Sequence, residues 1–522
     1  MNINEEVGAN PVPQTTGASN SPTLLDYGQQ TVPQRTAIPV PFTNVDTLFT
    51  ALVFVCGYLF VWLVNPFSLG FGVTAFTLCF CCVTLFYFKR RGIPIPKQSH
   101  IWLTVILISS ANFSLFSNVS LQFINLLFLM GCTVYWISVL ASTRMEKSFG
   151  SYFLSDMVNQ LFNVPFGNFR CASRIIKDSL AKNKKSKLLL ASLCGALAII
   201  PLVLIVTSLL IQADDEFKTV INQITASIGE RFIRFLFRLI PAFLVGSYLF
   251  GLLYGNIEKR RVDTITAEKA VRFSQNCKRL PAAASITALC ILCGVYLLFI
   301  GTQAVSLFST FYNQRPEGLT YAEYARRGFF ELCEVVAINL GVMAITFVFT
   351  VQKEKKSKFL SFIQIILCVE TMLLIITAIC KMVMYIDRYG LTQKRVYTSY
   401  FMILLFVVFC VLIVAQLRKI NLTKSIVLTF VIGFLVLCYA NVDGIIVKYN
   451  IDRYQNGTLQ NIDLSTVYSS LDASKPYVFE LYQSTSDQKL KGELKNILQS
   501  KTSVPYQGMN LQKLWARTLN AE

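Results

Sequence analysis

The chain has 522 residues, of which 54% are hydrophobic and 15% are charged, and its mean hydropathy is +0.52. Soluble domains carry roughly a quarter charged residues, so this composition excludes an ordinary soluble globular protein. The net charge of +19 does not indicate a nucleic-acid-binding protein, because the Lys and Arg residues lie in short loops between apolar runs and form no single basic domain.

The first 44 residues are polar, rich in Pro, Gln and Thr, and contain one basic residue, Arg35. They lack the apolar content that would offset the entropy of ordering, so we expect a disordered cytoplasmic N-terminus. They also lack the apolar region of a cleavable signal peptide. The first apolar run is therefore predicted to act as an uncleaved signal anchor.

Eleven apolar windows follow, of about the length needed to cross a hydrocarbon core roughly 30 Å thick. They lie near 47–66, 69–88, 101–117, 119–142, 187–211, 233–256, 281–303, 328–351, 359–385, 395–416 and 424–441. The sequence thus predicts an all-α, polytopic transmembrane helix bundle of about eleven spans. We divide it into N-terminal transmembrane helices (45–142) and a main transmembrane domain (187–441).

The basic residues of the connecting loops indicate the orientation of the spans. When the loops are assigned alternately to the two sides, about 27 Lys and Arg residues fall on one side and about eight on the other. The basic side is the cytoplasmic side under the positive-inside rule. The N-terminus is therefore predicted inside, and the C-terminal region 442–522 outside, in the cytoplasmic membrane of a bacterium.

Two segments lie outside the predicted spans. Residues 143–186 combine apolar residues such as Phe153 and Phe162 with later basic ones, which favours an amphipathic stretch on anionic lipid. A solvated basic linker remains the alternative. Residues 442–522 have near-normal polarity and helix-like runs at 464–471, 490–498 and 511–519, which predicts a small helical extracytoplasmic region packed on the membrane domain.

Ionisable residues inside predicted spans are costly to bury and are the default functional candidates. Arg231, Arg234 and Arg238 share one helical face, and Arg327 and Glu331 form an i,i+4 pair beside Arg326 and Glu334. Glu370 and Lys381 are eleven residues apart and lie on nearly the same face of one span. We predict a charged, outward-facing vestibule built from Arg238, Arg327, Glu331, Glu334 and Lys381, with Glu370 deeper. Interhelical ion pairs or snorkelling side chains are the alternative interpretation.

Familiar catalytic and metal-binding chemistry finds no support in the sequence, so we assign no catalytic residue, metal or cofactor. His100 is the only histidine, which removes the general base of histidine-dependent hydrolysis and the usual metal ligand. Most of the fifteen cysteines lie in apolar runs, where they act as small apolar residues and not as a disulfide framework. Cys290 and Cys293 form a CxxC that has no second pair beside it, so helix packing is favoured.

Three motifs resemble a bacterial membrane family of unknown function. They are Tyr321-Ala-Glu-Tyr-Ala-Arg-Arg-Gly-Phe-Phe-Glu-Leu332, Asp387-Arg-Tyr-Gly-Leu-Thr-Gln-Lys-Arg-Val-Tyr397 and Asn441-Val-Asp-Gly-Ile-Ile-Val-Lys-Tyr-Asn450. Over roughly residues 150–522 the chain resembles domain of unknown function 4173. The resemblance implies a bacterial polytopic membrane protein without naming a substrate. It directs attention to the binding or coupling candidates Tyr321, Tyr324, Arg326, Arg327, Glu331, Asp387 and Arg388, for which a clamp that holds the C-terminal region is the alternative.

Three functional hypotheses remain open. The first is a permease-like or lipid-handling protein in which Glu370 couples protons to a charged solute or headgroup. The second is an envelope sensor or assembly protein that signals through a separate membrane or cytoplasmic protein partner. The third is a membrane enzyme that acts on lipid-linked substrates with carboxylates alone.

Overall fold

The structure, a computed structural model, describes residues 43–146, 150, 152–181, 184–228, 230–262, 265–311, 321–351, 357–459, 463–500 and 504–519. Every named element in these ranges is a helix, which confirms the predicted all-α class. The N-terminal segment predicted to be disordered lies outside them, apart from Thr43 and Asn44.

Twenty α-helices follow one another along this part of the chain. They are α1 (Asn44–Leu63), α2 (Phe71–Arg90), α3 (Lys97–Leu115), α4 (Val119–Leu140), α5 (Phe153–Val158), α6 (Val164–Ala181), α7 (Lys184–Ala213), α8 (Asp215–Ile228), α9 (Glu230–Ile257), α10 (Ala267–Cys277), α11 (Ala282–Phe311), α12 (Tyr321–Phe349), α13 (Lys358–Tyr389), α14 (Gln393–Leu417), α15 (Leu422–Tyr439), α16 (Val442–Gln455), α17 (Leu464–Ser469), α18 (Leu471–Ser484), α19 (Gln488–Gln499) and α20 (Leu511–Thr518). A π-helical turn, Asn159–Asn163, joins α5 to α6.

Nine of these helices, within the ranges given above, are long and apolar enough to cross a membrane: α1, α2, α4, α9 and α11–α15. They make the protein membrane-embedded. The predicted spans at 101–117 and 187–211 coincide with helices α3 and α7, but neither is among the nine. In α3 the buried polar residues Ser109, Ser110 and Asn112 interrupt the apolar run. The total of eleven spans and the orientation stay predictions.

The first bundle consists of α1, α2, α4, α6 and α9. A close helix crossing joins α1 to α9, where a Cβ atom on Gly57 would lie 2.5 Å from the carbonyl oxygen of Ala242 and 2.7 Å from the backbone nitrogen of Gly246. Small residues at such a crossing let two backbones approach closely in a membrane. Helix α9, which the sequence division places with the later spans, thus packs with the N-terminal helices.

The second bundle consists of α11–α15 and is filled by one large apolar core. Helix α13 lies at its centre and packs against α11, α12 and α14. Leu289, Phe329, Val336, Leu374 and Phe409 are among its fully buried members. The bundle is therefore held by close side-chain packing along four helices.

Residues of the segment 143–186 form helices that pack against the membrane-spanning helices of the first bundle. Helix α6 packs on α9, with Asn168 and Ile175 buried, while the π-helical turn buries Asn159. The opposite face exposes apolar side chains at intervals of four residues: Leu154, Val158, Phe162 and Phe166. The segment is thus amphipathic and docked, whereas its contact with anionic lipid stays a prediction.

The C-terminal region, α16–α20, has a small core of its own, and α17, α19 and α20 coincide with the three helix-like runs of the sequence. Val447, Val478, Leu481 and Ile497 are buried together in this core. The ammonium of Lys475 is also buried and donates to the carbonyl oxygens of Leu498 and Ser500, at 3.0 and 2.8 Å, where α19 ends. This cation satisfies carbonyls that the helix terminus leaves without intrahelical donors.

Amide side chains attach the C-terminal region to the second bundle. Asn450 of α16 accepts from the Leu391 N–H at 2.7 Å and donates to the Leu391 carbonyl at 2.9 Å. Beside it, Gln393 donates to the buried carboxylate of Asp443 at 2.7 Å. Burial raises the pKa of Asp443, and the hydrogen bond from Gln393 opposes that effect.

A second set of contacts attaches the same region to the first helices of the chain. The Phe71 N–H donates to the Met509 carbonyl at 2.8 Å, and Asn510 donates to the Phe116 carbonyl at 2.7 Å. Gln512 accepts from both the N–H and the hydroxyl of Ser117 at 2.9 Å. The C-terminal region therefore bridges the ends of helices from the first part of the chain and from the second bundle.

Candidate functional site

The candidate site lies on the seam where α11, α12 and α13 meet, and its central residue is Glu370. This side chain is 3% exposed and is the thirteenth residue of the 32-residue helix α13. Neither of its carboxyl oxygens has a hydrogen-bond partner among the residues that the structure describes. The Cys293 thiol of α11 lies beside the carboxyl group. An ionised carboxylate in such surroundings is costly unless a cation or water reaches it.

A hydrogen-bonded chain crosses the seam next to Glu370. The Tyr296 hydroxyl of α11 donates to Asn339 of α12 at 2.7 Å, and Asn339 donates to Thr371 of α13 at 2.9 Å. Thr371 completes the chain by donating to the Leu367 carbonyl at 2.6 Å. Each of these side chains has a hydrogen-bond partner. The carboxyl group of Glu370 beside them has none among the described residues.

The polar seam continues from this level toward both ends of the bundle. Gln364 donates to Thr346 at 3.1 Å, and the hydroxyls of Ser285 and Thr350 are 2.8 Å apart. In the other direction, the Lys381 ammonium lies against Gly328 of α12. From Gln364 to Lys381 the helix rises by roughly 25 Å. Polar groups thus follow the seam for most of the thickness of a hydrocarbon core.

The structure distributes the predicted vestibule residues over separate surfaces. Glu331 and Glu334 are exposed on α12, on the face that also carries Ile338, whereas Glu370 is buried within the bundle. Arg238 is half-buried on α9, whose main helix contacts are with α1 and α6 of the first bundle. Only Glu370 and Lys381 line the seam just described. The single vestibule that unites all of these residues stays a prediction.

The side chains of the first family motif, Tyr321, Tyr324, Arg326 and Arg327, lie outside the described residues. The second motif joins α13 to α14. There Asp387 pairs with Arg453 of α16 at 3.1 Å, Arg388 is exposed, and the Arg395 guanidinium lies 4.1 Å from the centre of the Tyr385 ring. The ion pair and the stacked arginine act at the attachment of the C-terminal region, which supports the clamp alternative for Asp387.

Sequence reasoning missed a buried cluster at the start of α1. The Asp46 carboxylate accepts from the Tyr87 hydroxyl at 2.5 Å and from the Thr43 hydroxyl at 2.8 Å, and it lies 3.4 Å from the Arg91 guanidinium. The available signal was a Thr-x-x-acid capping pattern before an apolar run. Because every group of the cluster is paired, its geometry indicates helix positioning.

A second cluster that sequence reasoning missed consists of neutral polar side chains under α9. Asn256 donates to Gln160 at 2.7 Å and accepts from Thr143 at 2.5 Å, while Gln160 donates back to Asn256 at 3.0 Å. No charge or motif in the sequence marks these residues. Within the described ranges, no group of three or more His, Cys, Asp and Glu side chains has the arrangement of a metal site.

One comparison with known proteins gave a match. A family model with the description Domain of unknown function (DUF4153) matches residues 103–477, which is most of the chain. No curated protein and no solved structure matches. The match confirms the expectation of a family of unknown function, while the assignment to domain of unknown function 4173 is not confirmed.

Proposed function

We propose a permease-like function for this chain, which belongs to the family described as Domain of unknown function (DUF4153). In this proposal the second bundle carries protons through Glu370 and couples their movement to transport of a charged solute or a lipid headgroup. The protein acts in the cytoplasmic membrane of a bacterium, with its N-terminus inside and its C-terminal region outside. The loop charges of the sequence support that orientation.

The observation that carries the proposal is the unsatisfied carboxyl group of Glu370 at the middle of α13. A buried acid that served only to position helices would be paired, as Asp46 is with Tyr87 and Arg91. Burying the ionised form of an acid without such partners is costly, and water or a cation that enters the seam would lower that cost. This dependence is the property that a coupling residue requires.

The seam supplies the groups for a proton path to and from Glu370. Hydroxyl and amide side chains such as Tyr296 and Thr371 can hold water molecules or exchange hydrogen-bond partners when the helices move apart slightly. Lys381, at the other end, provides a cation at the level of Gly328. Proton movement through this seam requires no metal or other cofactor.

Proton flux in proteoliposomes tests the proposal. The full-length protein is reconstituted with an entrapped pH-sensitive dye, and acidification is followed after a potassium diffusion potential is imposed. We expect Glu370→Gln to lower the protein-dependent flux by at least about tenfold, because the amide cannot release a proton. Glu480→Gln, the same change at an exposed position of α18, serves as the matched control. Equal fluxes for the Glu370→Gln variant and the unmodified protein would contradict a coupling role.

A second candidate function, an envelope sensor, is favoured by the bridging position of the C-terminal region. Contacts at Asn450 and at Asn510 link this region to the second bundle and to the first helices of the chain. A change in the position of the region would therefore alter contacts with both. This function needs a separate signalling partner. Cross-linking in intact cells followed by purification tests it, and repeated recovery of the protein alone would count against it.

A further inference from the structure

The first bundle contains a half-open cavity of about 830 Å³ between α1, α2, α4 and α9, with α6 along one side. Its walls are almost entirely apolar and include Phe60, Phe76, Leu129 and Val245. A cavity of this volume falls within the size range of ligand-binding sites, about 300–1,000 Å³. Its main walls belong to helices that are long and apolar enough to cross a membrane, so the cavity suits an apolar chain.

Most of the few polar side chains on the cavity wall have hydrogen-bond partners within the described part of the protein, and Arg170 is the exception. Thr77 and Thr133 donate to carbonyl oxygens of their own helices at 2.8 and 2.7 Å, and the Tyr248 hydroxyl donates to the Leu161 carbonyl at 3.1 Å. Among the wall residues that the structure describes, Arg170 of α6 is the only charged one. Its side chain is exposed and forms no ion pair with any residue that the structure describes.

Helix α6 places Arg170 at a boundary between apolar and cationic surface. Before it, the exposed side chains of Phe162 and Phe166 continue the apolar face of the segment, and after it Arg174 and Lys177 are exposed at i+4 and i+7. Asp178 is the only acidic residue of the helix. Such a boundary is typical of a helix that lies at the level of lipid headgroups.

From this arrangement we propose that the cavity of the first bundle binds an anionic glycerophospholipid, with acyl chain in the cavity and phosphate at Arg170. The guanidinium group offers several N–H donors in a fixed plane, which matches the oxygens of a phosphate group. The apolar wall selects for the acyl chain and the arginine selects for the anionic headgroup. The site is separate from the seam at Glu370, so it does not depend on the proposed proton coupling.

Native mass spectrometry of the full-length protein in mild detergent tests this site. Titration with dioleoyl-phosphatidylglycerol and with dioleoyl-phosphatidylcholine should show tighter binding of the anionic lipid. We expect Arg170→Gln to weaken phosphatidylglycerol binding about tenfold and to remove the preference. Arg272→Gln, the same change on the exposed face of α10, should bind both lipids as the unmodified protein does.

A cavity-filling variant tests the acyl-chain half of the proposal. Val245→Trp should weaken binding of both lipids, because the indole ring occupies the space of the acyl chain. If Val245→Trp fails to fold, Thr133→Phe is used in its place. Unchanged phosphatidylglycerol binding by Arg170→Gln, or unchanged binding of both lipids by the filled variant, would overturn the site. So would displacement of the lipid by glycerol 3-phosphate alone. Glu370→Gln should bind lipid normally, so failure of the site and failure of the proposed coupling give different results.

Discussion

The two bundles differ in what lies between their helices. In the first bundle Asn256, Gln160 and Thr143 satisfy one another, while a cavity of about 830 Å³ remains between the helices. In the second bundle the apolar side chains fill the core, and the carboxyl group of Glu370 is left without a hydrogen bond within the described ranges. The comparison separates two kinds of feature: the first bundle leaves space between its helices, and the second buries a carboxyl group that has no hydrogen-bond partner among the described residues.

The largest effect that distinguishes the bundles is expected from one added methyl group. Gly57→Ala places a Cβ atom 2.5 Å from the Ala242 carbonyl oxygen, so α1 and α9 must separate. We expect a loss of about 2–3 kcal/mol in the free energy of unfolding. Gly341→Ala in the second bundle, where a Cβ atom meets nothing within 4 Å, should leave stability unchanged or slightly raised. Thermal unfolding of the purified proteins in detergent measures both, and equal melting temperatures would refute the tight crossing.

That crossing also shows where sequence reasoning stops. The nine apolar windows that match spans begin or end within a few residues of the helices, because an uninterrupted apolar run can satisfy its backbone in a membrane only as a helix. The sequence does not predict which of these helices pack against each other. Gly57 and Gly246 lie almost two hundred positions apart in the sequence, and hydropathy does not distinguish them from Gly341, which makes no close contact.

The same limit applies to the candidate site. Glu370 could be selected from the sequence because a carboxylate within an apolar run is conspicuous. Its neighbours Tyr296, Asn339 and Thr371 come from three helices and are ordinary polar residues in those runs. The exposed carboxylates Glu331 and Glu334 share a helical face with each other, and the sequence alone does not tell whether that face points into the bundle. The rotation of each helix about its own axis, which packing sets, determines whether a carboxylate is buried or exposed.

A matched pair of asparagine substitutions sharpens the functional side of the comparison. Asn256→Ala and Asn339→Ala each remove a buried amide with two side-chain partners, so each should lower stability by about 1–3 kcal/mol. Only Asn339→Ala should also reduce proton flux in proteoliposomes, because Asn339 lies in the seam beside Glu370. A loss of flux in both variants at a temperature where both are folded would show that the bundles do not act separately.

The smallest expected effect is a dependence of stability on pH, which comes from Asp156 at the edge of the first bundle. Burial raises the pKa of Asp156 in α5 to about 6, although the Met145 N–H donates to its carboxylate at 3.2 Å. The folded state therefore holds this proton more strongly than the unfolded state does. The resulting stability is present below about pH 4 and is lost as the pH rises from about 4 to about 6.

Substitution of Asp156 checks that expectation. Asp156→Asn should be less dependent on pH in this window than the unmodified protein, by on the order of 1 kcal/mol. Melting temperatures recorded at intervals between pH 4 and pH 7 provide the measurement. Parallel curves for the two proteins would mean that the carboxyl group is ionised equally in both states, and the contribution of burial would then be rejected.

The hydrogen bond between Phe71 and Met509 has a consequence for how the protein is made. Met509 is synthesised roughly 440 residues after Phe71, which corresponds to roughly 20–90 s at about 5–20 residues per second. The turn between α1 and α2 and the end of α3 are therefore synthesised well before the backbone and amide groups that cover them in the folded protein. The first hairpin is thus covered by a segment that is synthesised long after it, and a protein whose translation stops before Met509 lacks this contact.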